Sequence, residues 1–168
     1  GKENGGWKLI TLQLNHERVG LAAFGSTAFS VLEDVIAWAR ETDAEDGRPV
    51  AEKPWVQATL AEAYALLHPL RIMNWRIAWE LEQGRLDPAA ASAAKVYSSE
   101  TLMEVNRRLM EVLGVAGSIR DGSPGAVLHG RLERECRSCQ INTFGGGVNE
   151  IQREIIAMLG LGLPRAPR

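Results

Sequence analysis

Two stretches of this chain carry residues whose types and spacing could do chemistry. The first is Gly145-Gly146-Gly147-Val148-Asn149-Glu150-Ile151-Gln152-Arg153-Glu154. Three glycines free the backbone, and a helical pattern follows at once. A glycine-rich turn feeding a helix start presents unpaired N–H groups beside the positive end of the helix dipole. Such a corner suits a phosphate, a flavin edge or a thioester oxygen. The second stretch is Asn15-His16-Glu17-Arg18, which opens a long run of apolar periodicity. A glutamate there borders an apolar helix face, and partial loss of its water would raise its pKa and fit it for general-base work. An exposed first-turn glutamate favoured by the helix dipole explains the same spacing.

Cys136 and Cys139 form a lone C-x-x-C. One such pair is half of a four-ligand zinc site. No second pair exists, and His16, His68 and His129 are scattered, so no metal centre is expected. Paired Glu-x-x-His motifs of a di-iron bundle are also missing. Two free thiols on a helical stretch in a reducing compartment, the cytoplasm, are the expectation.

The 168 residues suffice for one domain with a real core. With 19 basic and 21 acidic residues the net charge is −2. There is no basic stripe interleaved with aromatics, so no nucleic-acid partner is expected. No apolar run approaches the roughly 20 residues that cross a bilayer, and no signal peptide is read at the start, so no membrane partner is expected either. The chain opens on Gly1 with a loop-like Gly1-Lys2-Glu3-Asn4-Gly5-Gly6-Trp7, which fits a piece of a longer protein.

Helices must position these residues, because little here reads as strand. Trp7 to Leu12 alternates and is short, an extended lead-in. A first helix is expected from near Asn15 to near Arg40, followed by a polar loop from Glu41 to Pro49. A second runs from Pro54 to about Gln83, with a kink near His68 imposed by Pro69 and a stop at Gly84. The third has Asp87 as N-cap and Pro88 at its first position, and reaches Leu113 before Gly114 and Gly117. A shorter helix from Ala126 to Cys139, a last one from Val148 to Leu159, and a Pro/Arg tail complete the chain. Small residues from Ala89 to Ala94 either let helices approach closely or simply favour helix. The five tryptophans are core or interface anchors. The fold class is all-α, an up-down bundle resembling four-helix bundles. The organisation is a lead-in over 1–13, a helical domain over 14–160 and a tail over 161–168.

The Gly145–Arg153 run resembles the last helix of the acyl-CoA dehydrogenase family, where Gly-Gly-Thr-x-Glu-Ile-Gln-Arg closes over the flavin. The resemblance covers essentially the whole chain. It implies the C-terminal helical domain of an FAD enzyme that desaturates an acyl-CoA thioester and passes electrons to an electron-transfer flavoprotein. In most members the α-proton base directly precedes the Gly-Thr pair of that loop; here Gly146 stands there. In a second group, resembling isovaleryl- and long-chain-type enzymes, the base lies in the first helix just before an arginine; here that is Glu17 before Arg18. The resemblance thus assigns Glu17 as base and Arg18 to the coenzyme A portion, with an ordinary ion pair as the competing role for Arg18. Gly146, Gly147 and Val148 border the flavin, with Glu150 a helix-start carboxylate beside them. Val148 replaces the usual threonine, leaving backbone N–H groups to make that contact.

Two departures narrow the resemblance. The family's Arg-x-x-Phe-Gly clamp for a neighbour's FAD diphosphate is replaced by Arg40-Glu41-Thr42-Asp43-Ala44-Glu45-Asp46, and like charges repel there. The Phe-Gly-Gly-x-Gly loop is reduced to Leu113-Gly114-Val115-Ala116-Gly117. This pattern is similar to an actinobacterial branch in which two different chains pair as α2β2 tetramers and act on steroid-CoA side chains. Gln13-Leu14-Asn15-His16-Glu17-Arg18-Val19 and Leu163-Pro164-Arg165-Ala166-Pro167-Arg168 share in it. A homo- or hetero-oligomer is implied, with an isolated fragment that holds FAD weakly or not at all. An assembly domain without chemistry of its own and an acyl-CoA oxidase are the competing expectations.

Overall fold

The computed structural model describes residues 1–7, 9–11, 13–14, 17, 25–85 and 87–165. All named elements are helical. They are α1 (Gly25–Glu41), α2 (Pro54–Glu82), α3 (Pro88–Leu113), α4 (Arg131–Ser138) and α5 (Asn149–Ile155), with short 3-10 segments between them. Among the described residues the sole extended pairing is one isolated bridge, Asp43 with Pro49. The all-α class therefore holds. No described helix is long and apolar enough to cross a membrane.

Two stretches differ from expectation. Residues 6–7, 9–11, 13–14 and 17 are helical where an extended lead-in over Trp7–Leu12 was expected. Thr11 Oγ1 donates to Trp7 O at 3.0 Å, a bond one helical turn long. Alternation over six residues is too short a signal to outweigh the i→i−4 ladder. Further on, α4 begins at Arg131 rather than Ala126. Leu128, His129 and Gly130 all take positive φ, a left-handed turn that no helix can include.

The helix signals elsewhere act as their chemistry dictates. Ala89 N–H bonds Asp87 Oδ1 at 2.9 Å, the N-cap bond, worth about 1 kcal/mol. Gly84 ends α2 at φ +65°. Its N–H reaches Leu81 O at 2.9 Å while Arg85 N–H reaches Glu80 O at 2.9 Å, the paired bonds of a Schellman stop. Helix α2 continues through Pro69.

Contacts divide the chain into two compact units. The first comprises Gly1–Phe24, Leu70–Glu100 and Ile141–Arg168; the second comprises Gly25–Pro69 and Thr101–Gln140. In the second, Val31, Leu32 and Val35 from α1, Val56, Ala63 and Leu67 from α2, Val105 and Leu109 from α3, and Leu132 from α4 form one buried cluster. Each large aliphatic side chain there contributes about 2 kcal/mol by leaving water. Arg131 pairs with Asp34 and ties α4 to α1. In the first unit, Ala89, Ala91, Ser92 and Ala94 are buried. A Cβ at Gly160 would stand 3.1 Å from Ala89 Cβ. Close approach, beyond helix propensity alone, thus explains the small residues.

Trp38 packs against the second unit's cluster. Trp7, Trp55, Trp75 and Trp79 are exposed, so they are not core anchors within this chain.

Cys136 and Cys139 are free thiols. Burial pushes the Cys136 thiol up to about 11, with Cys139, Glu133 and Glu135 adding to it. Alkylation of native Cys136 by iodoacetamide should therefore be slow at pH 8 and climb with pH through about 11, because the thiolate is the nucleophile. A rate that levels off near pH 9 would contradict this.

Candidate functional site

The glycine turn sits in the first unit, between a 3-10 segment (Cys139–Thr143) and α5. Gly146 has φ +67° and Gly147 φ +101°, backbone states that side chains rarely adopt. At Gly147 space is short as well, since a Cβ would meet Gln152 Nε2 at 2.6 Å. That amide is fully buried. It donates to Gly146 O at 3.0 Å and to Gly147 O at 3.4 Å. Gln152 of the expected Glu-Ile-Gln-Arg run thus folds back to hold the turn that precedes its helix.

Val148 is the N-cap of α5 and makes no side-chain cap bond. The first intrahelical bond runs from Gln152 N–H to Val148 O at 3.1 Å. The N–H groups of Asn149, Glu150 and Ile151 precede that ladder and have no acceptor within the helix. Beside them, a Cβ at Gly145 would find nothing nearer than Ile141 O at 3.9 Å. The turn is therefore shut on its Gln152 side and open at Gly145. Uncapped donors next to open glycine backbone fit the polar edge of a planar ring system.

The largest surprise is Lys95, which sequence reasoning passed over as part of an Ala-rich helix. It is only 1% exposed. Its Nζ donates to Thr143 O at 3.0 Å, Gly147 O at 2.9 Å and Asn149 Oδ1 at 2.6 Å. Asn149 Nδ2 donates onward to Ser99 Oγ at 3.0 Å and Glu100 Oε1 at 3.1 Å. Arg153 also pairs with Glu100 Oε1, at 2.6 Å. A signal was present: Lys95 lies in register with Ala91 and Ser99 on a face of small residues, where a solvated lysine has no place.

Glu150 is exposed and borders an open cleft of about 1020 Å³, shared with Trp7, Ile151, Glu154, Met158 and Arg165. Glu17 stands on helical backbone with its side chain exposed. Arg18 lies outside the described residues, as do Asn15 and His16. The acidic loop after α1 is ordered: Ala44 N–H bonds Arg48 O and Val50 N–H bonds Thr42 O, each at 2.8 Å. Arg48, the cation of that loop, is engaged by Asp46 at 3.0 Å, and this partner holds the Asp46 carboxyl below its ordinary range.

Residues 4–161 match the acyl-CoA dehydrogenase C-terminal domain family. The chain is 49% identical to the acyl-CoA dehydrogenase FadE26 of Mycobacterium tuberculosis, over 100% of its own length and 42% of the relative's. Among solved structures it is similar to the Tcur3481–Tcur3483 steroid ACAD, with 51% identity, a TM-score of 0.92 and coverage of 99% of this chain and 42% of that one. The ChsE4–ChsE5 complex from Mycobacterium tuberculosis gives 50% identity and a TM-score of 0.90, covering 99% and 43% of the respective chains. The chain thus spans about two fifths of the length of these relatives. A family match over nearly every residue, joined to a glycine turn locked beneath an uncapped helix start, leads to one conclusion: this chain belongs to the acyl-CoA dehydrogenase family and constitutes its C-terminal domain.

Proposed function

We propose that the chain is the C-terminal part of an FAD-dependent acyl-CoA dehydrogenase that introduces the α,β double bond of an acyl-CoA thioester. The name of a half-identical structure, a steroid ACAD, points to a steroid substrate, and a steroid side-chain CoA ester is the form proposed. The observation that carries the proposal is the glycine turn, left-handed at Gly146 and Gly147 and held by Gln152 and Lys95, in a chain matched to this family over residues 4–161.

FAD, when bound, supplies the acceptor for the hydride that leaves the β-carbon. This chain contributes the base and part of the flavin and coenzyme A contacts. Glu17 accepts the α-proton on a carboxylate oxygen, and Arg18 meets the coenzyme A portion. Gly146, Gly147 and Val148 border the flavin through their backbone, and Glu150 stands beside them at the helix start. Glu17 is exposed here, so the cover that removes its water comes from regions the relatives carry beyond the matched two fifths. Electrons then pass to an electron-transfer flavoprotein.

A second acyl-CoA dehydrogenase chain completes the site in this reading. The loop after α1 is acidic and its Arg48 is already paired with Asp46, which leaves it unsuited to an FAD diphosphate. The name of the ChsE4–ChsE5 complex describes two different chains together in a half-identical structure. Exposed Ile72, Trp75 and Trp79 share one stripe of α2, the kind of patch that marks an interface. By itself the chain is expected to hold FAD weakly or not at all.

The test is to produce the intact protein with its partner chain and assay it with steroid-CoA and simple acyl-CoA thioesters. The expected product is a yellow flavoprotein that reduces an electron-transfer flavoprotein when acyl-CoA is added. A colourless assembly without acyl-CoA-dependent reduction would leave only an assembly role, and oxygen uptake without another acceptor would mark an oxidase.

A further inference from the structure

We propose that Lys95 is a positioning residue: its buried ammonium sets the conformation of the glycine turn and hence the backbone that borders the flavin. The flavin half of this statement rests on the reading given under Proposed function. The anchoring half rests on geometry alone.

The bonds bracket the turn. Thr143 lies before the three glycines and Gly147 is the last of them, and one nitrogen holds both carbonyls at 3.0 and 2.9 Å. The enclosed backbone includes Gly145 and Gly146, which lose more conformational freedom on ordering than any other residue type. A segment of that kind keeps one shape only if something outside it imposes the shape. The third bond, to Asn149 Oδ1 at 2.6 Å, adds the first residue of α5 to the same anchor. Ammonium donors to neutral acceptors rank among the stronger hydrogen bonds, and burial makes their loss severe.

The anchor reaches further through Asn149. Its Nδ2 binds Ser99 and Glu100 of α3, and Glu100 also takes Arg153 of α5. Helix α3 therefore holds the turn and the helix start as one body. Gln152 holds the turn from α5 itself, so removing Lys95 frees the turn from α3 without abolishing its local fold. An activated enzyme of this class needs its contact groups held to a fraction of an ångström, and a side chain that touches neither substrate nor flavin can supply that.

The deciding experiment uses the intact flavoprotein with its partner chain and the change Lys95→Met. Amide hydrogen exchange over 143–149 should quicken at least about tenfold, the loss of one charged anchor, while the helices elsewhere keep their protection. FAD should dissociate about tenfold more readily and the visible flavin band should lose its fine structure, with kcat falling and KM for the acyl-CoA little changed. If Lys95→Met does not fold, Lys95→Gln decides in the same readouts. Its shorter, neutral amide keeps a polar end in the buried site but cannot hold both carbonyls as the ammonium does.

Unchanged exchange over 143–149 would overturn the proposal. So would an equal rise throughout the chain, or a loosened turn with an unaltered flavin spectrum. A wild-type assembly that takes up no FAD would instead defeat the flavin reading, and exchange over 143–149 would still judge the anchor.

Discussion

In the intact enzyme, Glu17→Gln is expected to lower kcat by about 10³-fold, near 4 kcal/mol of transition-state stabilisation, with KM for the acyl-CoA almost unchanged. Glutamine keeps the shape and polarity of the side chain and loses only the ability to take a proton. Binding of the ground state does not draw on that ability, so the effect falls on the chemical step. Glu17 is exposed on helical backbone within this chain, and the near-isosteric change leaves the folding of this domain within about 0.5 kcal/mol. FAD content should be normal. The control is Glu150→Gln. That carboxylate is exposed beside the open cleft at the start of α5, and turnover should stay within about fivefold because a helix-start carboxylate contributes only about 0.3–1 kcal/mol. Steady-state kinetics of both variants settle the matter. Normal turnover by Glu17→Gln together with a dead Glu150→Gln would transfer the base to α5.

Gly130→Ala should destabilise the protein by about 3 kcal/mol, read as a lower urea midpoint with an unchanged slope. Two effects combine. Gly130 has φ +58°, a left-handed state in which an alanine loses roughly 1 kcal/mol or more. Space is the larger problem: an added Cβ would lie 2.4 Å from Asp121 N, 3.0 Å from Asp121 Cα and 3.2 Å from Arg120 C. These are backbone atoms and cannot rotate aside, unlike the Gln152 side chain opposite Gly147. Gly122→Ala isolates the conformational part. It has φ +77° with nothing near its added Cβ, so about 1 kcal/mol is expected. Equal losses in the two variants would show that the 120–121 backbone yields without resistance.

The helix boundaries that were legible are those set by local chemistry. Asp87 and Pro88 open α3 and Gly84 closes α2 because caps and left-handed stops depend on a few adjacent residues. Two segments were not legible in this way. The start of α4 is set by a left-handed turn at Leu128 and His129, a state that a leucine rarely adopts and that no local pattern announces. Trp7 to Leu12 alternates like a strand over too few residues to decide its own state.

The glycine turn shows the same division within the site. Its position before a helix, and the absence of a proton acceptor at Gly146, belong to the sequence. The family resemblance and the pairing of Glu17 with that absence also belong to residue order. What holds the turn is a different matter. Lys95 is 52 residues from Gly147 and 54 from Asn149 along the chain, and no local pattern links residues so far apart. Read alone, Lys95 is one more good helix former. Only packing decides that its ammonium is buried, and a buried charge must find acceptors. The three glycines provide carbonyls with no strong conformational preference of their own. Sequence therefore determined where the backbone is free to turn, and tertiary structure decided what stops it from moving.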